Sequence, residues 1–366
     1  MKLVEITTYL ESIAPLAYQE EYDNSGLIVG AAGQEISQVL ISLDCTEAVL
    51  EEAIHTGCQL IISHHPIVFK GLKKFNGKTY VERVVQKAIR HDVALYAIHT
   101  NLDNMAAGVN AEICETLGLQ HCRILQPKGG ILKKLVTYVP LAQAEAVKDA
   151  LFTAGAGYIG NYSECSFSAT GRGSFKGNEH THPYVGEPGK RHYEDEVRIE
   201  TVYPANLESK ILMALFLAHP YEEVAYDLYP LTNQHQQIGA GMIGELELPT
   251  NETSYLQHIK TKLKAPVIRH TELLNRPVKK VAVCGGSGGF LLKQAIAAGA
   301  DVFITADYKY HEFFDAEGKI VIADVGHFES EQFTQQLLFD LLHQKFIGLQ
   351  LRLTEVNTNP VRYFIG

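Results

Sequence analysis

The sequence predicts a split α/β domain interrupted by a smaller α+β domain. Three observations predict it. Short apolar strands alternate with amphipathic helices up to about residue 126, the same alternation resumes after about residue 235, and a self-contained strand and helix series lies between. At 366 residues the chain exceeds one ordinary core and suits two or three domains.

Residues 4–13 have the apolar spacing of a first helix, and Pro15 and the polar stretch EYDNSG lead into a strand, LIVG. QVLISL, residues 38–43, is a strand, and Thr46 is placed to cap a helix over 47–55. LIISHHP, residues 60–66, is a buried strand ending abruptly in His64, His65 and Pro66, because proline cannot continue the ladder. A helix over 80–90 precedes VALYAIHTNLD, residues 93–103, another strand running into His99, Asn101 and Asp103. The insert then reads strand (LVTYVP), helix (142–153), strand (SECSFSA), glycine-rich hairpin, strand (EVRIETVYP), helix (207–218) and strand (VAYDLYP). That βαββαβ order is the ferredoxin-like pattern. Beyond residue 235, VKKVAV ends in the turn GGSGGF, ADVFITADYKYH runs into Asp307, Lys309 and His311, and IVIADVGHFESE runs into His327 and Glu331. A helix over 332–345 and a closing strand, LQLRLTEV, follow. The boundaries are therefore 1–126, 127–234 and 235–366, with first and last pieces forming one domain around an insertion at a surface loop.

Open α/β sheets keep their chemistry at the C-terminal mouths of their strands. Two adjacent imidazoles there are costly to desolvate unless something uses both, although two hydrogen-bonded histidines are the simpler account of that pair alone. His327 and Glu331, four apart, share one face of a helical turn, and Glu329 does not. With His64, His65 and Asp103 they make five nitrogen and carboxylate ligands, expected along one edge of one sheet. Five exceed what one ion with an open position uses, and suit two ions sharing a carboxylate. Imidazole with carboxylate fits zinc, iron or manganese. His99 and His311 are candidate proton carriers, and Asp44 a candidate to orient a ligand. In GGSGGF, Ser287 and Gly288, with Lys309, are candidate contacts for a substrate phosphate, set against a tight turn whose glycines serve close packing.

Composition excludes several classes. The formal net charge of −10 argues against a broad nucleic-acid-binding surface. Six scattered cysteines form no CxxC pair, so neither a disulfide framework nor a thiolate zinc site is expected. No run of 18 apolar residues suggests a membrane span, and a cytoplasmic location is the expectation.

Through DNSGLIVG, ISHHP, HTNLD, the GGSG turn, TADYKYH and GHFESE, the chain resembles the NGG-one-interacting-factor-three-like family, the GTP cyclohydrolase type-two homologues. AGAGYIGNYSECSF and AHPYEEVAYD resemble the inserted PII-like or CutA-like domain of its larger bacterial members. The resemblance implies two divalent ions held by His64, His65, Asp103, His327 and Glu331, and a homohexamer built as a dimer of trimers. Tyr22 and Ala306 depart from the residues usual in the family. The expected function is metal-dependent hydrolysis of a nucleotide or related phosphorylated small molecule. The alternative is a non-catalytic ring that stores or delivers metal, or a regulatory one whose insert binds an effector.

Overall fold

The computed structural model describes residues 1–364. The chain divides into two compact units, one made of residues 1–126 with 237–366 and the other of 127–236. The first is mixed α/β and holds two sheets.

One sheet has five strands in the order Gly26–Val29, Ala94–Ala97, Leu60–Ser63, Gln38–Ser42, Gln350–Leu353. The last four run parallel and Gly26–Val29 pairs antiparallel at one edge. Every residue of Leu60–Ser63 is buried. Leu60 and Ile62 enter one apolar cluster and Ile61 another, so the strand has apolar cover on both faces and reads as a continuous hydrophobic run. Thr46 caps helix Glu47–Thr56, its Oγ1 accepting from Val49 N at 3.3 Å.

The other sheet has six strands, in the order Arg269–His270, Val321–Asp324, Val302–Thr305, Val278–Val283, Gln234–Thr250, Gln120–Gly129. The three βα strands, Val278–Val283, Val302–Thr305 and Val321–Asp324, run parallel. Arg269–His270 and Gln234–Thr250 pair antiparallel on either side of them. Ile41 and Ile62 of the first sheet and Val281 and Ile304 of the second belong to one buried cluster, which also takes in Leu3, Ile6 and Leu10 of helix Leu3–Ile13.

This corrects the expectation of a single sheet. Five and six strands together exceed what a twisted open sheet carries, about ten, and the chain resolves the excess into two sheets sharing a core. It also adds elements the sequence reading passes over. The 17-residue strand Gln234–Thr250 is rich in glycine and polar residues, and helix Glu252–Lys262 buries only Glu252, Tyr255 and Ile259. The stretch HTNLD is not the end of a strand. Strand Ala94–Ala97 stops earlier, and Thr100–Asp103 form one helical turn.

The second unit runs Leu132–Pro140, helix Ala144–Ala154, Ser166–Phe175, His192–Pro204, helix Glu208–Ala218, Tyr226–Leu231. Its antiparallel sheet has the order Ser166–Phe175, His192–Pro204, Leu132–Pro140, Tyr226–Leu231. Val197, Ile199 and Tyr203 pack with Val147, Leu151, Ile211 and Leu215 of the helices. The glycines expected at a hairpin tip, Gly171 and Gly173, lie inside strand Ser166–Phe175, in register with Glu196 and Glu194. Among the described residues no helix is long and apolar enough to cross a membrane.

Phe303 is fully buried on the face of its strand opposite the shared cluster. Phe303→Ala is expected to destabilise the unit by about 3–5 kcal/mol through lost burial and the cavity left behind, read as a lowered urea midpoint.

Candidate metal centre

The two parallel strand sets deliver their C-terminal ends to one place. His64 and His65 follow Leu60–Ser63, Asp103 closes the turn after Ala94–Ala97, and His327 and Glu331 are the ends of the short helix His327–Glu331 after Val321–Asp324. His64, Asp103 and Glu331 form one group of potential ligand atoms within 4.8 Å of one another, and His65, His327 and Glu331 form a second. The five residues therefore meet, but across two sheets.

Each imidazole is gripped through Nδ1, leaving Nε2 for the centre. His64 Nδ1 donates to the Ile98 carbonyl at 2.8 Å. His65 Nδ1 donates to Asp44 Oδ1 at 2.8 Å, and His327 Nδ1 to Asp307 Oδ2 at 2.7 Å. Such outer partners set the tautomer and aim of a ligating ring. Glu331 divides its oxygens between the groups. Oε2 lies 3.0 Å from Nε2 of both His65 and His327, and Oε1 lies 4.0 Å from His64 Nε2.

Two buried atoms of the cluster have no hydrogen-bond partner, His64 Nε2 and Asp103 Oδ1, 3.5 Å apart. A lone pair and a carboxylate oxygen left facing one another in a buried place are costly unless a cation sits between. The ionisation balance agrees. Burial pushes the Asp103 carboxyl well above its ordinary range, and the Glu331 charge adds to this. Burial holds His64 down to about 3, so it is a neutral ring. Burial opposes the cation on His65 and His327, but hydrogen bonds to Asp44 and Glu331 outweigh it for His65, which rises to about 9. For His327 the Glu331 charge and the Asp307 hydrogen bond do the same, raising it to about 11. Burial would raise Glu331 too, yet the His327 charge and hydrogen bond, with help from His65, hold it well below the usual carboxylate range. Without ions, protons supply the positive charge. The residues fit divalent cations bound by imidazole and carboxylate. Burial pushes the Cys284 thiol up, so no thiolate is offered.

His99 stands beside the cluster. One of its ring nitrogens lies within 4.8 Å of those of His64 and His65, and Nδ1 donates to Asp23 Oδ1 at 2.8 Å. Asp23 also accepts from the Thr100 amide at 3.0 Å and the Ser25 hydroxyl at 3.0 Å.

The other residues proposed from sequence are not among the groups of potential ligand atoms. His311 is exposed and packs on Tyr310 and Phe314 in the 3-10 turn Tyr310–Ala316. Lys309 is 84% exposed with Glu312 at 3.6 Å. In GGSGGF three amides bond inside the fold: Gly285 N donates to Asn110 Oδ1, Gly286 N to Ser330 Oγ and Gly288 N to Thr305 Oγ1. The Gly288 amide is therefore taken, and Ser287 is an exposed residue of the turn. Glycine is needed at 286 because φ is +60° and a Cβ would come within 2.4 Å of Glu331 Oε1. The turn gives Glu331 room.

Sequence reasoning missed Asp23, Asp307 and Thr358 as supporting groups. The acids stand in the polar runs DNSG and TADYKYH, where composition signals only a turn. Asp307, with φ +57°, is carried on a left-handed residue that turns its carboxylate to His327. Thr358 Oγ1 donates to Asp44 Oδ2 at 2.5 Å from 314 residues away, beyond any local signal.

Against this geometry, the model of the Duf34/NIF3 (NGG1p interacting factor 3) family matches residues 1–360. A Halalkalibacterium halodurans protein named GTP cyclohydrolase 1 type 2 homolog is 38% identical over 359 residues, covering 96% of each chain. Its Bacillus subtilis counterpart is 37% identical over 364 residues, covering 98% of each. Among solved structures, a Bacillus cereus protein related to NIF3 superposes with a TM-score of 0.85 at 39% identity, covering 100% of this chain and 99% of that one. A Staphylococcus aureus protein gives 0.79 at 31% identity, with the same coverage.

Because protons hold the ligand positions on His65 and His327, metal uptake at neutral pH is expected to release protons, and affinity to rise as pH approaches 9. Calorimetry in buffers of different ionisation enthalpy counts them, and uptake with no proton release would contradict these assignments. The sign for the metal-free protein is opposite. With His65 raised from 6.5 to about 9, its contribution to stability is complete below pH 6.5 and is lost as pH climbs through 9. Thermal midpoints of chelator-treated protein should therefore fall over that window while those of metal-loaded protein do not.

Proposed function

The chain belongs to the Duf34/NIF3 family, and from that premise we propose that the unit of residues 1–126 and 237–366 is a dinuclear metal-dependent hydrolase acting on a nucleotide or related phosphorylated substrate. The observation that carries this is Glu331, whose two oxygens serve two ligand groups while His64 Nε2 and Asp103 Oδ1 lie buried and unpaired. His64 and Asp103 would hold one ion, His65 and His327 the other, and Glu331 both. Zinc, iron or manganese suit this donor set. The relatives' name, GTP cyclohydrolase 1 type 2 homolog, supports a nucleotide as the substrate class.

When bound, two divalent ions bring the pKa of a water toward neutrality and polarise the bond to be cut. The chain's part is positional and acid–base. Asp44 and Asp307 fix the rings of His65 and His327, and the Ile98 carbonyl that of His64. His99, anchored by Asp23, keeps its second nitrogen for a proton and is the candidate to take one from water and return it to the leaving group. That dyad favours hydrolysis over storage, because a store needs no oriented proton carrier beside its ligands.

The same reading makes the 127–236 unit a ferredoxin-like, PII-type domain and the subunits a hexamer, a dimer of trimers. The βαββαβ order and the sheet order support the first. The outer face of helix Glu208–Ala218, with Met213 60% and Leu217 82% exposed, supports self-association. Mass photometry should give six times the mass of one chain, and a monomer at micromolar concentration would dismiss the ring.

For the activity, metal-loaded protein is to be assayed against a panel of nucleotides and phosphoesters. Asp103→Ala and Glu331→Gln should each lose bound metal and turnover together. His99→Gln should keep its metal content while kcat falls by about 10²–10⁴. Wild-type protein carrying two ions and cutting no member of the panel would overturn the hydrolase reading.

A further inference from the structure

We infer that the 127–236 unit carries its own binding site for a phosphorylated planar heterocycle of the guanine type, one presenting a ring N–H beside an amino group. The inference does not rest on the metal centre. A cavity of about 620 Å³ opens on the side of the sheet away from the helices. In strand His192–Pro204, Val197 and Ile199 turn to the helices, so Glu196 and Arg198, out of phase with them, turn the other way and line the cavity. Ala169 and Gly171 are registered opposite Arg198 and Glu196, with Gly173 opposite Glu194, so all three share that side. Three consecutive inward positions thus carry almost no side chain.

The glycines are not there for the backbone, since neither has a positive φ. A Cβ on Gly171 would meet nothing within 4 Å, so the fold's own packing does not require its absence. A Cβ on Gly173 would strike Glu196 Oε2 at 2.1 Å. Glycine inside a strand costs stability and often marks close approach by another molecule. Here it leaves a flat floor with a carboxylate lying over it. Glu196 is 9% exposed, and Tyr221 donates to its Oε1 at 2.9 Å. The rings of Phe175 and Tyr184 stand 5.8 and 6.4 Å from that of Tyr221, and all three line the cavity.

A flat floor and aromatic walls select a planar ring, and the volume lies within the range of ligand pockets, about 300–1,000 Å³. The buried carboxylate only accepts, so it selects an edge made of donors. Guanine offers two adjacent donors. Adenine offers one beside an unshared pair that would face the carboxylate, and a site built for donors rejects such an analogue strongly. Lys176 and Arg198, the latter also paired with Glu200 at 2.9 Å, line the cavity and supply cations for phosphate.

The test is equilibrium binding of GMP and AMP to the full chain, with and without chelator. GMP is expected to bind saturably and at least about tenfold more tightly than AMP. Glu196→Gln and Gly171→Val should each weaken GMP by about tenfold or more, the first by removing an acceptor and the second by filling the floor. Circular dichroism verifies that both fold, and if one does not, the other decides. Asp103→Ala should bind GMP as the wild type does, so failure of the metal reading leaves this result untouched. Absence of saturable GMP binding, equal affinity for AMP, indifference to both cavity variants or loss in Asp103→Ala would each overturn the inference. So would Gly171→Val dissociating an assembly of copies in the absence of any nucleotide effect.

Discussion

The centre depends on keeping one buried carboxylate ionised. Glu331 is 3% exposed, and burial alone would neutralise it. It stays charged because the imidazoles of His327 and His65 converge on it, and each is turned inward by a carboxylate holding its far nitrogen. Beside Glu331 the fold keeps space clear with glycine. Gly286 gives up a side chain that would collide with Oε1, and its amide is tied to Ser330 on the same helical turn that carries Glu331. A turn whose composition suggests phosphate makes space for the Glu331 carboxylate. The same glycine richness serves either end, and only the destination of the amide hydrogens separates them.

That distinction marks where the sequence is legible. The strand LIISHHP declares itself because an apolar run, two imidazoles and a proline leave little choice, and the first-sheet strands and helix 80–90 follow from equally plain periodicity. The five residues of the cluster are visible since each terminates such a run. The number of sheets is not visible. A buried βα strand has the same pattern whichever sheet it joins, and the partner of Gln350–Leu353, Gln38–Ser42 at the opposite end of the chain, is chosen by tertiary packing. His311 and Lys309 follow a strand as His327 does, but a left-handed residue at 307 turns the chain, and Lys309, Tyr310 and His311 lie exposed.

In the second unit, composition and structure part at GRG. Glycines between polar residues read as a hairpin tip, yet the ladder to His192–Pro204 continues unbroken through them, ten pairs from Ser166 to Phe175. Cross-strand pairing from a well-patterned neighbour overrides weak local preference, because Val197, Ile199 and Thr201 fix the register and carry the glycines with them. Glycines retained where the backbone does not need them then become informative about what lies over that side of the sheet.

The split of the first unit has a physical sense of its own. Its later segment supplies His327 and Glu331, and then returns to pair with the earliest parallel strand of the first sheet. This brings Thr358 to Asp44, the residue that aims His65, and Asn359 Nδ2 to Glu329 Oε1 at 3.0 Å. The end of the chain thus orients a ligand from its beginning, and neither segment completes the cluster alone. An insertion at 127–236 interrupts none of these contacts, because the site is assembled from strand ends and returning loops and requires no continuity of sequence between its two halves.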